Sequence, residues 1–179
     1  MAQASLTGVE RHFGADEVIV TKTDRGGRIT YANRTFLTIA GLTEREALGA
    51  PHNIIRHPHM PRLVFKLLWD TVGQGREIFA YVLNRAMNGD HYWVFAHITP
   101  SFAPGGEIIG YHSNRRVADP GIVDGVIAPL YATLLAEEDK HDRLQEKMAA
   151  SGALLQGLLR QRGTDYERLI FSLSDRRAA

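Results

Sequence analysis

Residues 78–115 read IFAYVLNRAMNGDHYWVFAHITPSFAPGGEIIGYHSNR, and the punctuation of this stretch decides the fold. Three runs rich in β-branched and aromatic residues, Ile78–Leu83, His91–Thr99 and Ile108–Arg115, are separated by Asn88-Gly89 and Pro104-Gly105-Gly106. Both separators are hairpin-turn chemistry, so the runs are predicted to pair antiparallel, with a type I′ turn at Asn88-Gly89. Working upstream, Gly73 and Gly75 close a helix whose apolar face is Val64, Leu67 and Leu68 and which runs to about Val72. Pro58 and Pro61 punctuate the loop before it. Thr43-Glu44-Arg45-Glu46 is a capping box on a short helix stopped by Gly49, and Asn33 caps another, Arg34 to Ala40, that ends at Gly41. Before these, Val18–Thr23 and Arg28–Tyr31 flank the turn cluster Asp24–Gly27 and read as a hairpin, while residues 1–16 read as a loose lead-in. The order of elements gives an α+β domain: a five-stranded antiparallel sheet with short helices on one face.

Downstream of Asp119 the chain reads as helical. Leu130, Leu134, Leu144, Met148, Leu155 and Leu158 fall on one four-and-three seam, interrupted by Glu137, His141 and Ser151. A continuous long C-terminal helix carrying such a stripe must bury it, and its length favours pairing with a second copy of the chain over folding back on one small sheet. Gly163 breaks this helix, and Thr164–Glu167 starts a short last one by the capping-box rule. The expected organisation is therefore a lead-in (1–17), a sensor-sized domain (18–119) and a helical extension (120–179) serving dimerisation or output.

Composition narrows the function. Apolar residues make up 44% of the 179 and the net charge is +1, so there is a core to build and no electrostatic case for nucleic acid. The absence of cysteine removes disulfides, thiolate metal sites, cysteine nucleophiles and cysteinyl photochemistry. The first residues, MAQASLTGVERHF, have no apolar signal-peptide region, and no stretch approaches the roughly 18 apolar residues of a membrane span. The expectation is a cytoplasmic protein. Eight histidines invite a metal reading, but no pair has H-E-x-x-H spacing; phosphate loops and Ser or Lys nucleophile motifs are also missing.

Four strings, ITYANRTFLTIAGL (29–42), LGAPHNIIRHPHMP (48–61), LLWDTV (67–72) and NRAMNGDHYWVFAHITP (84–100), carry a family resemblance. Residues 19–120 resemble the PAS domain of bacterial aerotaxis receptors, which sense cellular redox state through bound FAD. The resemblance implies a PAS fold, an FAD cofactor and a role in signal transduction. It ends near residue 120, without the family's membrane anchor and methyl-accepting region, and His59 stands where the family has the aspartate of RHPDMP.

The resemblance makes seven residues candidates for cofactor binding: Arg56, His57, His59, Trp69, Asn84, Trp93 and Asn33. Arg56 suits a dinucleotide's pyrophosphate, and His57 can donate to a phosphate or a flavin carbonyl. The competing reading has Arg56 tying down its own loop. His59 can donate and titrate, and it is read first as exposed, then as a cofactor contact, and last as a haem ligand. Trp69 could stack on a flavin or pack in the core. The Asn84 amide fits the edge of a flavin pyrimidine ring. By period two, His91, Trp93, Phe95 and His97 share one face of the central strand, opposite Tyr92, Val94 and Ala96. That mixed face reads as a contact surface; His112 and Asn114 share a face of the last strand and could line either side. The functional expectation is a non-enzymatic flavin module that passes redox or oxygen signals through its helical tail to a homodimer or a signalling protein. A cofactor-free interaction module, a haem gas sensor and a flavin enzyme are the alternatives.

Overall fold

The computed structural model describes residues 4–175; the first three residues of the lead-in and the last four of the helical extension lie outside that range. Five strands, β1 (Ile19–Asp24), β2 (Ile29–Ala32), β3 (Ile78–Arg85), β4 (His91–Phe102) and β5 (Ile108–Val117), form one sheet in the order β2-β1-β5-β4-β3. Every neighbouring pair is antiparallel. Between β2 and β3 lie α1 (Arg34–Ala40), α2 (Glu44–Ala47), a 3-10 turn (His52–Ile55) and α3 (Arg62–Gly73). This is the α+β PAS-type architecture expected from the sequence, with strands two or three residues longer at the β3, β4 and β5 ends.

The three hairpins share one loop design. In Arg25-Gly26-Gly27, Met87-Asn88-Gly89 and Pro104-Gly105-Gly106 the last glycine N–H bonds back to Asp24, Ala86 and Ala103 respectively. Only that glycine has positive φ, 75°, 95° and 83° in turn, and no described non-glycine residue does. The type I′ turn expected at Asn88-Gly89 needs positive φ at both central residues, so it gives way to a three-residue loop with a left-handed glycine last. Gly89 is doubly constrained, because a Cβ there would sit 1.9 Å from the Ser5 carbonyl oxygen. That approach also corrects the loose lead-in. Thr7 N bonds Gly89 O, Thr7 Oγ1 bonds Asp90 at 2.6 Å, and Glu10 pairs with His91 as a parallel bridge. The lead-in is thus tied along the β3–β4 hairpin, where Arg11 also pairs with Asp90 at 3.3 Å.

The local helix signals are read correctly. Asn33 caps α1 by accepting from Phe36 N, Gly41 closes it at φ 69°, and Thr43 and Glu46 form the reciprocal capping box. The last helix, α7 (Tyr166–Asp175), is capped instead by Asp165, whose carboxylate accepts from Arg168 N at 2.8 Å.

By its internal contacts the chain divides into two compact units: residues up to 58 with 71–118, and residues 59–70 with those from 119 on. In the second, the expected single long helix is two. After α4 (Pro120–Ile122) and a π-helical turn (Val123–Ile127), α5 spans Ala128–Glu138 and α6 spans Leu144–Gln161. The break falls at Asp139-Lys140-His141-Asp142, which offers no apolar side chain to hold a further turn on a packed surface; the Lys140 and His141 N–H groups end the helix on Glu137 O and Glu138 O. Helices α5 and α6 pack on one another, with Leu134 and Leu155 buried and Leu144 exposed. The expected four-heptad stripe for a second chain is therefore not continuous.

Glu138, at the end of α5, is 2% exposed. Its carboxylate accepts from Arg62 N and Leu63 N, both at 3.0 Å, and from Ser151 Oγ at 3.4 Å. It supplies the N-terminal acceptors that the first turn of α3 needs.

Candidate cofactor site

Strand register sorts the sheet into two faces, because directly paired residues project to the same side. Asn84 pairs with Tyr92, Ala96 with Arg115, Ile98 with Ser113, Ser113 with Thr21, and Thr23 with Tyr111. Tyr92, Val94, Ala96 and Ile98 are buried, so this is the inner face. Phe36 of α1 and His52 of the 3-10 turn lie against it: the Arg115 guanidinium is 5.8 Å from the Phe36 ring centroid, and His52 meets Phe36 ring to ring at 6.3 Å.

This inner face is unusually polar. Asn84 Nδ2, Tyr92 OH, Ser113 Oγ, Thr23 Oγ1 and Arg115 Nη1 are all buried without a hydrogen-bond partner among the described residues. Native interiors leave few such atoms, and five on one face make this face the candidate ligand site. Most of them are, or can act as, donors, so the ligand they suit is rich in acceptors.

Arg115 is the centre of charge. It is 3% exposed, and Nη2 donates to Thr21 Oγ1 at 2.6 Å and to His52 Nε2 at 2.7 Å. No carboxylate pairs with it among the described residues. Burial lowers its pKa to about 10, which still leaves a cation at neutral pH. His52 must accept from this obligate donor, so its Nε2 carries no proton. Part of the residue reaches solvent, yet crowding of the imidazole by protein, and secondly the Arg115 charge, hold its pKa down to about 3. Burial pushes the Tyr92 phenol up, keeping it a neutral hydroxyl.

The seven sequence candidates do not converge. Asn84 lies in the inner cluster, and Arg56 reaches it through a backbone bridge with Asn84. His57 is 5% exposed and meets the His91 ring edge-on at 5.9 Å. The Asn33 side chain is engaged locally: its oxygen accepts from Val20 N and Phe36 N, and its amide donates to Val18 O at 2.7 Å. Trp93 pairs with Leu83 on the opposite face of the sheet from Asn84. His59 is exposed, Trp69 is 40% exposed, and both belong to the second unit. On the outer face, Phe79 stacks on His97 at 4.1 Å, His97 bonds Glu77 at 2.7 Å, and His112 bonds Asn114 at 3.0 Å. Sequence reasoning missed Arg115, His52, Tyr92 and Ser113. The signal was available for two of them: Ser113 and Arg115 alternate with His112 and Asn114, and register with Ala96 puts the arginine inside. Among the described residues, no cluster of three or more His, Asp or Glu side chains could hold a metal, and no helix is long and apolar enough to cross a membrane.

Comparison with known proteins agrees with this fold. The family model of the PAS fold matches residues 29–114. The chain is 42% identical over 122 residues to the aerotaxis receptor of Escherichia coli, covering 68% of this chain and 24% of that protein. It is 29% identical over 99 residues to a nitrogen fixation regulatory protein of Klebsiella pneumoniae, covering 55% and 20%. The chain thus spans about a quarter or less of the length of these curated relatives. Among solved structures, the dark state of the blue-light photoreceptor Aureochrome1 LOV superposes with a TM-score of 0.55 at 22% identity, over 62% of this chain and 83% of that one. A PAS domain from Colwellia psychrerythraea gives 0.52 at 20% identity, over 56% and 86%.

Proposed function

Residues 29–114 belong to the PAS fold family, and on that premise we propose that the chain is a flavin-binding sensor module that reports redox state to a signalling partner. The observation that carries this reading is the row of buried, partnerless polar atoms on the inner face: Asn84 Nδ2, Tyr92 OH, Ser113 Oγ and Arg115 Nη1. An isoalloxazine ring fits them chemically. Its two carbonyls, N1 and N5 are acceptors, the N3–H between the carbonyls is a donor that an amide oxygen can meet, and the rest of the ring is flat and apolar, suited to the surrounding Val94, Ala96 and Phe36. FAD rather than a shorter flavin comes from the likeness to the aerotaxis receptor, and Arg56 and His57 are the residues we assign to its phosphates or ring.

When bound, the flavin supplies a change of charge and protonation on accepting electrons. The chain's residues do the rest. Asn84 and Tyr92 orient the ring edge and exclude water. Ser113 and Arg115 read the change from β5, which ends at Val117, two residues before Asp119 caps α4 by accepting from Ile122 N at the start of the helical extension. A shift in β5 therefore has little slack to absorb it before the helices. We assign no catalytic residue.

The test is the visible absorption of the purified chain, as isolated and after incubation with FAD. Two bands, in the blue and the near ultraviolet, are expected, with Asn84→Ala and Arg56→Ala lowering the flavin-to-protein ratio at unchanged circular dichroism. A colourless protein that takes up no FAD sinks the reading; a Soret band replaces it with haem.

A further inference from the structure

We propose that Arg115 is the charge-selecting group of this site: it makes the sheet interior hold a singly negative, reduced flavin more tightly than the neutral oxidised one, and so sets the direction of the redox response. The inference rests on the flavin reading and goes beyond it by naming the residue that distinguishes the two states.

The argument starts from what a buried arginine ordinarily requires. Removing a guanidinium from water is costly unless an anion or a full set of acceptors meets it. Arg115 is 3% exposed and has neither. Its Nη2 is held by two neutral groups, the Thr21 hydroxyl and the unprotonated His52 nitrogen, while Nη1 has no partner. The two neutral acceptors fix the guanidinium's orientation without cancelling its charge. Phe36 lies beneath it, 5.8 Å from the guanidinium carbon. The result is an oriented, uncompensated cation with an N–H left over on the face where the other orphaned polar atoms lie.

Asn84, Tyr92 and Ser113 are neutral groups and bond a carbonyl in either redox state. Of these orphaned inner-face groups Arg115 alone carries a net charge, so among them it alone responds strongly to the net charge of the ring. Reduction of a bound isoalloxazine would add two electrons from a soluble reductant such as dithionite and one proton from water, and would leave one net negative charge on the ring. A charge-assisted hydrogen bond to that anion is stronger than the neutral bond to the oxidised ring by an amount that corresponds to roughly 10- to 100-fold in affinity. By linkage, the same factor appears as a shift in the midpoint potential of the bound flavin towards more positive values than free FAD.

The experiment is a spectroscopic redox titration of the flavin-loaded chain against a reference dye, beside free FAD, and then of Arg115→Gln and Arg115→Lys. The bound flavin is expected at a more positive potential than free FAD, with Lys keeping part of the shift and Gln losing at least tenfold in the ratio of reduced-state to oxidised-state affinity. A wild-type potential at or below that of free FAD overturns the proposal, and it does so whether or not the variants fold. Equal loss of both redox states in Arg115→Gln, with riboflavin binding unaffected, would overturn it too, by placing Arg115 on the phosphates. If the wild-type chain binds no flavin, the proposed function fails first and is recognised as such by its missing spectrum.

Discussion

Glu138 and Arg115, one in each compact unit, are buried charged side chains treated in opposite ways. Glu138, 2% exposed, has both oxygens engaged by the N–H groups of Arg62 and Leu63, with Ser151 adding a third donor. Arg115, 3% exposed, has one nitrogen tied to neutral acceptors and the other without a partner. The carboxylate sits where a helix N-terminus presents ready-made donors, so its burial completes a structural joint. The guanidinium sits where nothing completes it. A fully satisfied buried charge is a structural device, whereas a half-satisfied one on a face of orphaned donors belongs to a binding site.

The largest expected effect tests the first half of that contrast. Glu138→Ala strips the Arg62 and Leu63 N–H groups of their acceptor and leaves the first turn of α3 uncapped, while Ser151 keeps its 2.8 Å bond to Lys147 O, and about 3 kcal/mol of stability should be lost. Glu138→Gln keeps one acceptor oxygen and should lose less than half as much. Urea unfolding of both variants checks this; an alanine variant as stable as wild type would show that water serves the α3 N-terminus equally well.

A smaller effect, near 2 kcal/mol at most, tests whether Arg115 and His52 act together. The folded state holds His52 neutral with a pKa near 3, while an unfolded histidine titrates near 6.5. The unfolded chain therefore binds the extra proton first, so this contribution is fully present above about pH 6.5 and is lost as pH falls towards 3, at up to about 1.4 kcal/mol per unit. Between pH 7 and 5 the wild type should lose about 1–2 kcal/mol relative to His52→Gln, whose profile should be flatter. Parallel profiles would mean that the imidazole is not held neutral by its surroundings.

Much of this was legible in the sequence. Turn glycines, caps and period-two runs are local signals, and they gave the five strands, α1, α2 and the order of elements. The inner and outer faces of β4 were also legible from alternation alone. What was not legible depends on distance in space. The break at Asp139–Asp142 is decided by the mutual packing of α5 and α6, whereas a heptad seam drawn through polar Glu137 and His141 looks continuous. The Asn88 turn type depends on a backbone dihedral that Asn-Gly permits but does not impose. Arg115 escaped because its meaning comes from β1, the 3-10 turn and β4 arriving around it, none of which is near it in the chain.

The smallest expected effect is the sharpest test of the contrast. If Arg115 were a structural charge like Glu138, replacing it with an apolar residue of similar length would be severely destabilising. Arg115→Met removes an uncompensated buried cation, together with two hydrogen bonds to neutral partners. The desolvation penalty relieved and the bonds lost are of similar size, and well-packed apolar replacements of buried charges are often neutral. Thr21, whose hydroxyl already lies 3.3 Å from His52 Nε2, can rotate its proton to serve that nitrogen. Ligand-free Arg115→Met is therefore expected within about 1 kcal/mol of wild type in urea unfolding, on either side. The same variant, loaded with flavin, should lose the preference for the reduced state, so that its stability ceases to depend on whether the flavin is oxidised or reduced. A ligand-free loss as large as that of Glu138→Ala would erase the distinction between the two charges and return Arg115 to the structural class.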